Sequence, residues 1–113
     1  MRNHDYWVYI LTNKNCTTLY IGITNDIVRR LYQHRYGEVD GFAKRYHLNR
    51  LVWLQHFRNV SDAIACEKKL KGWRRSRKIA LIEGTNPRWI DLSDDWEQQP
   101  RVVDRALKTT EMI

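Results

Sequence analysis

The chain has 113 residues, a formal charge of +7 and a pI of about 9.7. That length suits one domain with a small core, and no run of about 18 apolar residues is present to cross a membrane. Cys16 and Cys66 stand apart with no CxxC spacing, which argues against a zinc or disulfide framework and for reduced thiols in a cytoplasmic protein. The first residues, Met1 to Asp5, lack the apolar stretch of a signal peptide.

Trp7-Val8-Tyr9-Ile10-Leu11 is aromatic and β-branched and reads as a strand. After the turn-like Thr12 to Cys16, Thr17 to Thr24 reads as a second strand, and so short a connection makes a β-hairpin the natural pairing. Asn25 or Asp26 can cap a helix running to about Tyr36, because Ile27, Leu31 and His34 recur at helical spacing. Gly37 and Gly41 fall in the loop that follows, and Leu51 to Phe57 is a third strand. Ser61 is a suitable N-cap for a helix from Asp62 to about Lys71, ended or bent by Gly72. Trp73 to Glu83 can form another helix, closed by Gly84. Asn86 to Leu92 reads as extended, with Trp89 packing back on the core. The order β-β-α-β-α-α predicts an α+β domain with a small, three-stranded, mainly antiparallel sheet flanked by helices. That domain is expected over residues 1–97, with a polar C-terminal tail over 98–113.

The positive charge is unevenly placed. Lys68, Lys69, Lys71, Arg74, Arg75, Arg77 and Lys78 follow one another without an acid, whereas Asp91, Asp94, Asp95 and Glu97 gather nearer the C-terminus. A basic surface attracts polyanions, nucleic acid first among them; a solvated helix face would give the same composition.

The paired strand motifs carry more information. Trp7-Val8-Tyr9 on the first strand and Tyr20-Ile21-Gly22 on the second resemble the motifs of the GIY-YIG nuclease superfamily. The match continues in order: Arg30 near the start of the first helix, His34 one turn later, Glu67 in the helix after the third strand, and Asn86-Pro87 as in short single-domain bacterial members. Trp7 and Val8 depart from the Gly-Ile of the first motif, and Ile23 stands where some members carry a lysine; Lys44 is then a substitute cation.

The resemblance implies hydrolysis of phosphodiester bonds with a divalent cation, Mg²⁺ or Mn²⁺. Such an ion keeps several waters, so a single carboxylate plus substrate phosphate can hold it. Glu67 is the candidate metal ligand; its ordinary alternative is a helix residue paired with Lys71 at i, i+4. Arg30 is the candidate phosphate clamp, since a permanently charged planar fork suits the oxygens of the transition state. Tyr9 and Tyr20 are candidates to orient or deprotonate the attacking water, although a phenol of pKa ~10 is a weak base unless cations lower it. Two aromatic residues filling a core is their ordinary alternative. His34, on the Arg30 face, would assist a tyrosine or position the phosphate. Lys44, Lys68, Lys69, Lys71, Arg74, Arg75 and Asn86 are the candidate nucleic-acid contacts. Gly22 would leave room for backbone or phosphate to approach; Cys66 and Trp73 read as packing.

The function expected is a divalent-metal-dependent endonuclease acting on DNA, with structured or branched DNA among its candidate substrates. A catalytically silent nucleic-acid-binding module is the alternative, and a protein-interaction domain that uses its basic helix is a third class.

Overall fold

Tyr6–Thr12 forms a strand, β1, in which six successive residues from Trp7 are buried. Successive side chains of a strand point to opposite faces, so unbroken burial means that both faces are covered. The structure, a computed structural model, describes residues 4–36, 47–94 and 96. Within them β1 is the centre of a three-stranded antiparallel sheet of order β2-β1-β3, with β2 at Leu19–Thr24 and β3 at Arg50–Phe57. The helices are α1 (Ile27–Tyr36), α2 (Val60–Lys71) and α3 (Arg75–Thr85). The architecture is the expected α+β one, in the expected order. Lys44, most of the loop after α1 and the expected tail over 98–113 lie outside the described residues.

Each face of β1 supplies one core. Trp7, Tyr9 and Leu11 pack with Ile27 and Leu31 of α1 and with Leu48 and Leu51. Val8 and Ile10 pack on the other side with Ile21, Val52, Trp53, Ala63 and Leu70 of α2, and Ile82 of α3. Trp73, Cys66 and Trp89 lie against this second cluster, as their sequence context suggested.

The connections are set by local polar chemistry. Asn13 shapes the β1–β2 turn, its Oδ1 accepting from the Thr17 (2.8 Å) and Thr18 (3.2 Å) backbone amides. Asp26 caps α1, with Oδ1 accepting from the Arg29 amide at 3.1 Å. The cap of α2 is Asn59, not Ser61: Asn59 Oδ1 accepts from the amides of Ser61 (2.7 Å) and Asp62 (3.3 Å), so Ser61 is already inside the helix. Helix α3 starts two residues later than predicted and runs through Gly84 to Thr85. Its stop is Asn86-Pro87, because proline offers no amide and disfavours the helical conformation of the residue before it. Beyond it the chain turns at Pro87 and Arg88 and passes through Trp89 at φ 56 rather than running extended.

Candidate active site

The site is built around the hairpin register. Tyr9 stands directly opposite Gly22, and Leu11 opposite Tyr20, so both tyrosines project on the α1 side of the sheet. A Cβ on Gly22 would lie 2.5 Å from Tyr9 Cζ and 3.0 Å from Cε1. The glycine therefore makes room for the Tyr9 ring, whereas the sequence had suggested an approaching backbone or phosphate. Tyr9 is fully buried and Tyr20 half-buried, with ring centroids 6.3 Å apart.

Helix α1 closes this face. Ile27, Leu31 and His34 are its buried residues, one stripe at helical spacing. The His34 ring meets both tyrosines, 6.2 Å from Tyr9 and 5.7 Å from Tyr20 between centroids, edge to face in each case. Its Nε2 lies 3.3 Å from the Tyr9 hydroxyl, while Nδ1 is buried with no hydrogen-bond partner among the described residues. Orphaned N–H groups are rarer in proteins than under-satisfied acceptors, which favours the tautomer that places the proton on Nε2 and points it at Tyr9. Burial, and then the charge of Arg30, hold the His34 pKa below its ordinary value, so the imidazole is neutral at pH 7.

Arg30 lies half-buried one turn before His34, and its guanidinium favours the ionised form of the Tyr9 phenol. Glu67 comes from α2, on the helix face shared by Ala63 and Leu70, and acts electrostatically on Tyr9. Three elements, β2, α1 and α2, thus converge on one phenol of β1. Burial above all, and the neighbouring Tyr20 next, raise the Tyr9 pKa well above the ordinary phenol range; Arg30 opposes them and Glu67 adds to them.

The Glu67 side chain is only 15% exposed, and Lys71 Nζ sits 2.7 Å from its Oε2. The i, i+4 pair weighed as the ordinary alternative therefore exists, alongside the electrostatic action of Glu67 on Tyr9. A hard divalent ion fits this donor set in one way. Glu67 supplies hard carboxylate oxygens at the edge of the site, and among the described residues no group of three His, Cys, Asp or Glu could cage an ion. An ion held by one carboxylate and otherwise by water and phosphate suits Mg²⁺.

The remaining candidates divide. Lys68, Lys69, Lys71, Arg74 and Arg75 are exposed along the end of α2 and the start of α3, and Arg75 Nη2 donates to the Cys16 carbonyl at 3.2 Å. Asn86 is different. It is buried, its Nδ2 donates to the carbonyls of Val52 (3.1 Å) and Ile90 (2.9 Å), and its Oδ1 accepts from the Ile90 amide (3.1 Å). Its amide group, expected among the nucleic-acid contacts, is occupied in fastening the turn after α3 to β3.

A further group was not singled out from sequence. Arg35, next to His34, donates through Nη2 to Asp91 Oδ2 at 2.9 Å and to Ser93 Oγ, and through Nε to the Asn49 carbonyl at 3.1 Å. Arg35 and Asp91 are 56 residues apart, and no local pattern links them.

The model of the GIY-YIG catalytic domain matches residues 5–80, and the chain belongs to the GIY-YIG family. It thus carries a catalytic domain of the endonuclease class, in a family whose members generally depend on divalent metal. Its relatives include UPF0213 proteins. That of Vibrio parahaemolyticus is 33% identical over 79 residues, spanning 70% of this chain and 74% of the relative. That of Aeromonas salmonicida is 32% identical over 90 residues, spanning 80% of this chain and 65% of the relative. The solution NMR structure of a UPF0213 protein from Bacillus halodurans superposes with a TM-score of 0.52 at 26% identity, covering 77% of this chain and 92% of that one. None of the helices in the described residues is long and apolar enough to cross a membrane.

Proposed function

We propose that the protein is a cytoplasmic, divalent-metal-dependent endonuclease that hydrolyses phosphodiester bonds in DNA, including structured or branched DNA. The observation that carries this reading is the convergence of Tyr20, Arg30, His34 and Glu67 on Tyr9 from three separate elements, β2, α1 and α2. Phosphodiester hydrolysis needs an oriented water, cationic charge on the phosphoryl oxygens and a stabilised leaving oxygen. A bound Mg²⁺ or Mn²⁺, held by Glu67, supplies Lewis-acid stabilisation of the phosphate and the leaving oxygen.

The other roles fall to the chain's own residues. Arg30 offers its guanidinium to the non-bridging oxygens. Tyr20, half-buried at the mouth of the site, orients the attacking water. Tyr9 is a positioning residue: it is fully buried and burial holds its proton tightly, so it makes a poor base. His34 and Gly22 fix its ring. Lys68, Lys69, Arg74 and Arg75 track the phosphate backbone. Lys71, whose side chain is 55% exposed, is free to exchange Glu67 for a substrate phosphate once the carboxylate is engaged elsewhere.

The Glu67–Lys71 pair also favours the second reading, a silent binding module in which the carboxylate stays occupied. Incubation with linear, branched and single-stranded nucleic acids, with Mg²⁺ or Mn²⁺ and with chelator, separates the two. Metal-dependent cleavage that Glu67→Ala and Arg30→Ala abolish, with DNA affinity largely kept, is the expected result. Binding without cleavage in any metal would favour the silent module, and cleavage indifferent to both substitutions would remove these residues from the mechanism. Affinity should fall steeply with salt, as the release of counterions from phosphate requires.

A further inference from the structure

Helix α1 carries a second aromatic pair that the site does not use. Tyr32 and Tyr36 are 50% and 57% exposed, and their ring centroids lie 4.6 Å apart at an interplanar angle of 44°. They are one turn apart on the side of α1 opposite the buried stripe of Ile27, Leu31 and His34. At about 100° per residue, the positions met on going round the helix from Arg30 are Gln33 and Arg29, then Tyr36 and Tyr32. The surface from the site to the aromatic pair is thus continuous and passes the exposed Arg29. The ten residues of α1 include Arg29, Arg30 and Arg35 and no acid.

A tilted aromatic pair of this kind lends a helix modest internal support. That accounts for the contact between the rings but not for the exposure of both side chains beside arginines. Aromatic faces interleaved with cations are the arrangement that holds unpaired bases: each base has a π-face to stack, and each phosphate meets a positive charge. The charge selects the occupant. A second copy of a chain with net charge +7 is repelled by this cationic face, whereas a nucleic acid strand is attracted.

We propose that the outer face of α1, through Tyr32 and Tyr36 with Arg29, is a stacking platform for the unpaired bases of a single strand that leaves the candidate site over this helix. The inference rests on the nuclease reading and narrows its substrate to nucleic acid with a single-stranded segment next to the bond that is cut.

The test is fluorescence anisotropy in chelator, with a labelled oligothymidylate and an abasic strand of the same length and charge. Wild type is expected to bind the base-bearing strand roughly tenfold more tightly, the order that stacking on aromatic side chains supplies. Tyr32→Ala with Tyr36→Ala should lose that preference, and Tyr32→Phe with Tyr36→Phe should keep it. Photocrosslinking of wild type to a strand carrying 5-iodouracil, read by mass spectrometry, needs no variant to fold and should mark Tyr32 or Tyr36. Equal binding of the two strands by wild type, or crosslinks confined to other residues, would overturn the proposal. So would self-association in sedimentation that the alanine pair abolishes, since the face would then belong to a second copy. A wild type that cuts DNA but binds both strands alike removes the platform alone. One that shows the base preference yet cuts nothing in Mg²⁺ or Mn²⁺ removes the nuclease and leaves the platform standing.

Discussion

The phenol of Tyr9 fills the space that a side chain on Gly22 would occupy, so the glycine of one strand and the tyrosine of its neighbour form a single packing unit. Gly22→Ala must displace the ring, which is held from behind by His34. Overpacking of a filled core costs about 1–3 kcal/mol, and denaturant unfolding should show a loss of that size. Adding Tyr9→Val, which empties the contested space, should make the pair less destabilising than the sum of the two single changes. Strict additivity would mean that the two residues are not coupled.

The two tyrosines should fail differently when their hydroxyls are removed. Tyr20→Phe takes away the group proposed to face the water, so kcat should fall by about 10²–10⁴, the usual worth of a positioned acid or base, with little change in stability. Tyr9→Phe breaks the contacts to His34 Nε2 and Arg30. Its expected mark is a lower unfolding midpoint with a smaller fall in rate. Single-turnover cleavage beside chemical denaturation checks both, and the reverse pattern would exchange the roles.

His34 makes acid stability a direct readout of the site. Its folded pKa lies below the unfolded value of about 6.5, because burial and then Arg30 disfavour the charged form. The unfolded chain therefore binds the proton more readily. Stability is complete above about pH 6.5 and is lost as the pH falls from there toward the folded pKa. His34→Gln should flatten the stability curve just below about pH 6.5, where the unfolded imidazole begins to take up its proton. An unchanged slope would mean that other groups carry the acid response.

Asn86 gives a contrasting expectation. Its amide satisfies two carbonyls and one backbone amide in a buried turn. Asn86→Ala leaves those groups without partners at about 1–3 kcal/mol each before relaxation. Unfolding should move to markedly lower denaturant, while affinity for DNA, measured where the variant is still folded, stays near that of wild type. A selective loss of affinity at unchanged stability would return Asn86 to the binding surface.

The periodicities that define the elements were visible in the chain. Aromatic and β-branched runs marked the strands, Ile27, Leu31 and His34 marked the inner face of α1, and a short turn-rich link implied the hairpin. The errors came where two local rules competed. Asn59 and Ser61 are both good caps, and the choice went to the residue whose side chain reaches two free amides. Gly84 looked like a helix stop, but Pro87 stops the helix by forbidding its continuation. The site was legible as an ordered set of residue types. Its internal arrangement was not, because the full burial of Tyr9 depends on β1 becoming the central strand, a result of pairing with β3 more than forty residues away. The engagement of Asn86 with Val52 and Ile90 was hidden for a similar reason: an amide that suits a nucleic-acid contact suits a backbone carbonyl equally well.

The fastening of Arg35 sets where this domain can be cut. The family match ends at residue 80, yet Asp91 and Ser93 grip Arg35 beside His34, the Leu92 amide donates to the Leu51 carbonyl at 2.8 Å, and Trp96 lies against the core that holds Tyr9. A fragment trimmed to the matched segment would strip a guanidinium of its carboxylate and uncover one flank of β3. The smallest autonomous unit is therefore longer than the region that defines the family, and the chain beyond α3 is a strut for the helix carrying Arg30 and His34.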